Sequence, residues 1–258
     1  MYDVPSYAIA VVLFVLMLVS IYLGGTVGRK HQNKESDSAK SQANAVQGSL
    51  LGLLALLLGF TFSLSLGRYD LRSAEVVSEA NAIGTAWLRT DLVSEARRGE
   101  AKQLLREYGS LRLRSSMVSA ADEDERVRLI GEAETVFNDM WLLIAEEARE
   151  ARNPVAMGVV ASLNDMIDAL AKRDAAINRH VPELVLYLLF GTFVLLGGVV
   201  GYASWISAVR PGVPVYAMMV LIVILVFLII DLDRPRRGLI AVDQTKLATT
   251  VAAMGIPN

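Results

Sequence analysis

SQANAVQGSLLGLLALLLGFTFSLSLG, residues 41–67, contains no Asp, Glu, Lys or Arg, and the charged run RYDLR, residues 68–72, follows it at once. Crossing a hydrocarbon core about 30 Å thick takes roughly 20 residues of helix, so the stretch is long enough to span a bilayer and ends on a cluster suited to its surface. The same criterion selects residues 4–28, 184–209 and 211–230. The first of these has no basic residue before it, is too long for a signal peptide and offers only Gly24, Gly25 and Thr26 as a cleavage site, so it reads as a retained helix. In the last, Pro211 and Pro214 reduce the usable length to residues 215–230.

Composition agrees with a membrane protein. Of 258 residues, 53% are apolar and 20% charged, with no cysteine and a formal net charge of -2. A disulfide-stapled domain, a Cys-ligated metal centre and a disordered chain are excluded, and no Lys/Arg surplus exists for nucleic acid. The expected class is all-α: a polytopic membrane protein with four transmembrane helices and a helical-bundle extramembrane domain. Residues 1–67 hold the first two membrane helices, 68–183 the helical domain, 184–232 the third and fourth, and 233–258 a C-terminal tail.

Four crossings put both termini and residues 68–183 on one side. Arg29, Lys30, Lys34, Lys40 and Arg210 flank the other side, against Arg68, Arg72, Lys172, Arg173, Arg179, Arg234, Arg236, Arg237 and Lys246 on the first. The positive-inside rule makes the side with more basic residues cytoplasmic.

Within 68–183 the apolar positions recur at helical spacing. Leu71, Val76, Ala80, Ile83 and Trp87 continue the second span out of the membrane; Leu104, Leu105, Tyr108 and Leu111 mark another helix; Ile130, Ala133, Phe137, Met140, Trp141 and Ile144 a third. Asp122, Glu123, Asp124 and Glu125 read as favourable charges at that third helix's N-terminus rather than a calcium site, because no EF-hand glycine spacing follows. Asn153-Pro154 signals a further helix start, and Val159, Leu163, Met166, Ile167, Leu170 and Ile177 continue it.

Catalytic chemistry is not visible. His31 and His180 have no partners at metal-ligand spacing, Asp165 and Asp168 read as a solvated helix face, and no GxxxxGK[ST], GxSxG or HExxH motif occurs. No catalytic residue, metal or cofactor is expected.

The second span carries the features that suggest transport. Thr61 and Ser65 share a side with Arg68 and Arg72, giving hydroxyls at membrane depth that lead to guanidinium groups at the cytoplasmic mouth. That arrangement suits concentrating anions; interhelical hydrogen bonding by small polar residues explains it equally. Leu53, Leu57, Phe60 and Leu64 repeat on a neighbouring stripe, either as an apolar constriction that gates by dewetting or as packing and lipid contact. Asp231 and Asp233, at the end of the fourth span, are charge-complementary to Arg68 and Arg72, while Arg236 and Arg237 suit anionic headgroups. Gly24 and Gly28, Gly48 and Gly52, and Gly197 and Gly201 are spaced for close helix approach, within or between subunits.

Leu51-Gly52, Gly59-Phe60-Thr61-Phe62-Ser63, Arg68-Tyr69-Asp70-Leu71-Arg72, Glu79-Ala80-Asn81-Ala82-Ile83-Gly84 and the Asp231-Leu232-Asp233-Arg234-Pro235-Arg236-Arg237-Gly238 run together resemble the bacterial bestrophin-like membrane proteins, and more distantly the bestrophins. The Arg-Asn that follows the Gly-Phe pair in bestrophins is Thr61-Phe62 here, and the tryptophan-rich cluster and acidic calcium clasp are missing. The resemblance implies a homo-oligomer, a pentamer in bestrophins, that passes inorganic anions such as chloride along the second span, with Phe60 and neighbouring leucines as the neck. Membrane lipids are the other expected partners. The alternative is a non-conducting membrane sensor or scaffold that signals through the helical bundle.

Overall fold

The structure, a computed structural model, describes residues 4–31, 36–119, 122–151, 154–234 and 239–255. Helices joined by short connections make up these residues, with no strand among them. The helices are α1 (Ser6–His31), α2 (Asp37–Arg89), α3 (Glu95–Met117), α4 (Glu123–Ala151), α5 (Pro154–Ile177), α6 (Glu183–Ile206), α7 (Val213–Asp233) and α8 (Thr245–Ala253), with a short 3-10 turn over Thr90–Leu92. They form two compact units. One holds the residues up to Arg68 together with His180–Arg234 and 239–240; the other holds Tyr69–Arg179 and the residues from Ala241 on.

In the first unit, α1 packs along α6 and α7. Leu13, Met17 and Ile21 of α1, Leu54 of α2, Leu189, Phe193 and Val200 of α6, and Met219 and Val226 of α7 form one buried apolar core. The closest approach is between α1 and α6, where glycine is required by contact. A Cβ on Gly24 would lie 2.0 Å from the Gly198 carbonyl oxygen, and one on Gly201 would lie 2.1 Å from that of Ile21. Backbone atoms cannot yield as a flexible side chain does, so Gly201→Ala is expected to destabilise the unit by about 1–3 kcal/mol, the usual range for overpacking. Thermal unfolding of the purified protein checks this against Gly131→Ala, on an exposed face of the extramembrane domain, whose added methyl would meet nothing within 4 Å and is expected to leave the midpoint unchanged or higher.

The second unit is a helical bundle whose core joins Val76, Ala80 and Ile83 of α2, Leu105 and Tyr108 of α3, Leu129, Met140 and Ile144 of α4, and Val159, Leu163 and Met166 of α5. Glu147 of α4 ties the start of α3 down: it accepts the Ser94 N–H at 3.0 Å, the Ser94 hydroxyl at 2.8 Å and Arg97 Nη1 at 3.0 Å. These bonds satisfy a helix end that has no cap of its own.

Two expectations need revision. The fourth span is longer than 215–230, because α7 starts at Val213 with Pro214 in its first turn, where the missing N–H costs no hydrogen bond, and runs on to Asp233. The tail contains α8, whose Leu247 and Val251 are buried in the second core with Met254 just beyond it. By length and composition five helices could cross a membrane, the four expected spans and α5. Its Val159, Leu163 and Met166 lie in the helical core, and it carries Asp165, Asp168, Lys172, Arg173 and Asp174. The acidic run does open a helix, with Glu123, Asp124 and Glu125 in the first turn of α4. The Asn153 cap and the side chains of Arg236 and Arg237 lie outside the described residues.

Candidate functional site

No proline interrupts residues 37–89, and apolar positions continue past the charge-free stretch, so α2 forms as one helix of 53 residues. Among the membrane-length helices of the first unit it is the least covered. Only 17% of its most apolar window is buried, against 33% in α1, 39% in α6 and 28% in α7.

The residues singled out on α2 divide between two faces. Thr61 and Ser65 are buried on the side of Leu54. The Thr61 hydroxyl donates to the Leu57 carbonyl one turn back, which satisfies it inside its own helix. The Ser65 hydroxyl has no hydrogen-bond partner among the described residues. Leu53, Phe60 and Leu64 point the other way and are 49%, 61% and 47% exposed; Leu57 lies between, packed at the margin of the core. Phe60 and Thr61 are adjacent, hence about 100° apart around a helix of 3.6 residues per turn, which is how one face is buried while the next stays open. Gly48, Gly52 and Gly59 lie on a third face, also uncovered.

At the charged end, the aspartates of α7 are held by backbone donors. Asp233 accepts the Val181 N–H at 3.1 Å and 3.0 Å with its two oxygens, and Asp231 Oδ2 accepts the Ile240 N–H at 2.9 Å. The His180 ring nitrogen Nδ1 lies 3.1 Å from the Asp233 carbonyl oxygen and 3.6 Å from its carboxylate. Both aspartates are buried, so they fix the end of α7 to the start of α6 and to the segment after it. Arg68 is half-buried, with its Nε unpartnered among the described residues. Arg72 belongs to the helical unit, where its Nε and Nη2 donate to the carbonyl oxygens of Ala176 at 3.2 Å and Arg179 at 2.8 Å.

One ionic cluster was not legible as a unit. Glu79, 1% exposed, accepts Arg112 Nε at 2.6 Å on one oxygen and Arg173 Nη1 on the other, and Arg173 Nη2 donates to Gln244 Oε1 at 3.0 Å. Burial would push the Glu79 carboxyl up, but the two guanidinium groups outweigh it and hold the carboxyl below its ordinary value. An acid on the apolar stripe of Val76, Ala80 and Ile83 was its one sequence signal. No group of three or more His, Asp or Glu side chains arranged to hold a metal occurs among the described residues.

The sequence of residues 10–247 matches the profile of the bestrophin-like domain. Curated proteins provide no match. The fold is similar to crystal structures of point variants of a bacterial bestrophin homologue from Klebsiella pneumoniae. One has 15% identity and a TM-score of 0.63 over 93% of this chain and 95% of that one. Another has 13% identity and a TM-score of 0.66 over 95% and 97%, and a third 15% identity and 0.65 over 96% and 94%.

Proposed function

Because the chain belongs to the bestrophin-like family, we propose that it assembles with copies of itself into an ion channel that passes inorganic anions such as chloride, with α2 lining the pore. The observation that carries this reading is the open apolar face of Leu53, Phe60 and Leu64 on the least covered membrane helix. Four helices enclose no pore by themselves, so an uncovered face of this kind needs other copies around an axis. Leu53, Phe60 and Leu64 then form the neck. Thr61 and Ser65, buried within the subunit, stay out of the ion path. Arg68 supplies positive potential at the mouth, and Asp231 and Asp233 keep the end of α7 in place. The helical unit and both termini face the cytoplasm, and no enzymatic step is involved.

The test is flux of anions and cations from liposomes that contain the purified protein. Anion-selective flux is expected. Arg68→Glu is expected to shift the reversal potential toward cation permeability by replacing a positive with a negative group at the mouth, while leaving insertion intact; an unchanged reversal potential would remove Arg68 from the path. If intact oligomers conduct nothing, the unbroken 53-residue α2 favours the sensor or scaffold reading, since one helix then belongs to both units.

A further inference from the structure

Where α1 and α6 end and α7 begins, the first unit carries an open groove of about 400 Å3, far more room than a lone inorganic ion fills. Its more buried lining is apolar, Leu18 and Ile21 of α1, while Tyr22, Tyr216, Arg29 and Arg210 are exposed around it. No carboxylate lines the groove, and neither arginine makes an ion pair or hydrogen bond among the described residues. Arg29 instead lies over the Trp205 ring, 5.7 Å from its centroid. That ring sits against Gly25, where a Cβ would come within 2.6 Å of Nε1, and its indole N–H has no hydrogen-bond partner among the described residues. The dipole of α1 alone accounts for a basic last turn of Arg29, Lys30 and His31. It does not account for Arg210, which a fixed turn brings to the same groove. Ala208 takes φ 57°, the left-handed cap position that glycine usually fills, the Val209 N–H bonds the Ser204 carbonyl at 2.9 Å, and Pro211 follows Arg210. Away from the groove both helix faces continue as exposed apolar stripes, Val15 and Val11 below Tyr22 on α1 and Val220 and Ile224 below Tyr216 on α7.

We propose that this groove seats an anionic phospholipid, its phosphodiester on Arg29 and Arg210 with the Trp205 N–H as a further donor, and its acyl chains along the stripes of α1 and α7. Two guanidinium groups without a carboxylate at the end of membrane helices match a phosphate at headgroup depth. A free phosphate would satisfy the arginines and leave the apolar stripes uncovered. A zwitterionic lipid would bring its own ammonium group toward two uncompensated cations. The site needs only that these helices span a membrane and does not depend on ion conduction.

Tryptophan fluorescence of the full-length protein in liposomes tests this, because Trp87 and Trp141 belong to the helical unit and Trp205 is the one tryptophan of the first. The membranes hold equal parts of phosphatidylglycerol and phosphatidylcholine, with bromine, a short-range quencher, on the acyl chains of one lipid or the other. Brominated phosphatidylglycerol is expected to associate with the quenched site at least about fivefold more strongly than brominated phosphatidylcholine, as one arginine at an anionic headgroup already provides. Arg29→Gln and Arg210→Gln should each lower that preference several-fold. Both side chains are exposed and bond nothing, so the variants are expected to fold. Lys30→Gln, which removes an equal charge beside Arg29 but outside the groove, should leave the preference unchanged. Glycerol phosphate in the aqueous phase should not reduce the quenching. Equal quenching by the two lipids, an undiminished preference in both arginine variants, an equal loss in Lys30→Gln, or displacement by glycerol phosphate would each overturn the proposal. The third of these results would mean attraction by surface charge alone, and the last a site for free phosphate.

Discussion

Glu79→Gln is expected to destabilise the helical unit by about 3–5 kcal/mol, the usual cost of removing one partner from a buried ion pair. The substitution preserves shape and removes one charge, leaving Arg112 and Arg173 buried with no carboxylate between them. The amide can still accept one guanidinium N–H through its oxygen, but its NH2 group opposes the other arginine's donors. Chemical unfolding of the purified protein followed by circular dichroism gives the measurement. The same carboxylate sets a dependence on acid. Its folded value lies below the ordinary 4.5, so its contribution is fully present above that value and is lost as pH falls through the lowered folded one. Wild type should therefore lose stability on acidification below about 4.5, and Glu79→Gln should lose less over the same window. Asp91 provides the contrast, since its partner Lys102 lies 2.5 Å away on an open surface, and Asp91→Asn should leave the midpoint where it is. Replacing Glu79, Arg112 and Arg173 together by apolar residues of similar volume tests a further point: a variant as stable as wild type would mean that the cluster fixes the register of α2, α3 and α5 and adds little net stability.

The difficulty of reading that cluster in advance follows from its geometry. Glu79 meets Arg112 and Arg173 across 33 and 94 residues of chain, and no local spacing encodes a contact between three helices. The membrane helices were legible because each depends on a run of residues alone: the absence of charge selects α1, α2, α6 and α7, and the absence of proline lets α2 continue to Arg89. α8 was missed for the opposite reason. Its nine residues, TKLATTVAA, offer Leu247 and Val251 one turn apart and little else, so it is helical through packing on the bundle rather than through its own pattern. Periodicity found the two stripes of α2, but burial separated them: Thr61 and Ser65 as inward-facing, Leu53, Phe60 and Leu64 as outward-facing. A sequence shows that two sets of residues lie on different faces, and only the neighbouring helices decide which face is closed.

Phe60→Ala is expected to raise anion flux by roughly tenfold, because a hydrophobic constriction blocks ions by excluding water and a smaller side chain lets it wet. Phe60 is the bulkiest residue of its face and 61% exposed within the subunit, so shortening it removes little from the subunit's own core. Thr61→Ala is the matched control: the adjacent residue is buried and its hydroxyl is satisfied by the Leu57 carbonyl, so flux should stay at the wild-type level. The pair tests the orientation of α2 as well as the existence of a pore. In a ring of copies, one uncovered face of α2 turns to the axis and another to a neighbouring subunit. Small residues favour the helix contact, since they let backbones approach, which assigns Gly48, Gly52 and Gly59 to the neighbour and Phe60 to the axis. Gly59→Leu should accordingly break the oligomer, seen as a loss of size on gel filtration, while Phe60→Ala keeps the size and changes the flux. If Phe60→Ala dissociates the assembly and Gly59→Leu changes flux in an intact one, the two faces are exchanged and the neck lies on the glycine side. If neither variant alters flux through an intact oligomer, α2 does not line an ion path, and its open faces serve contacts with lipid or with other copies instead.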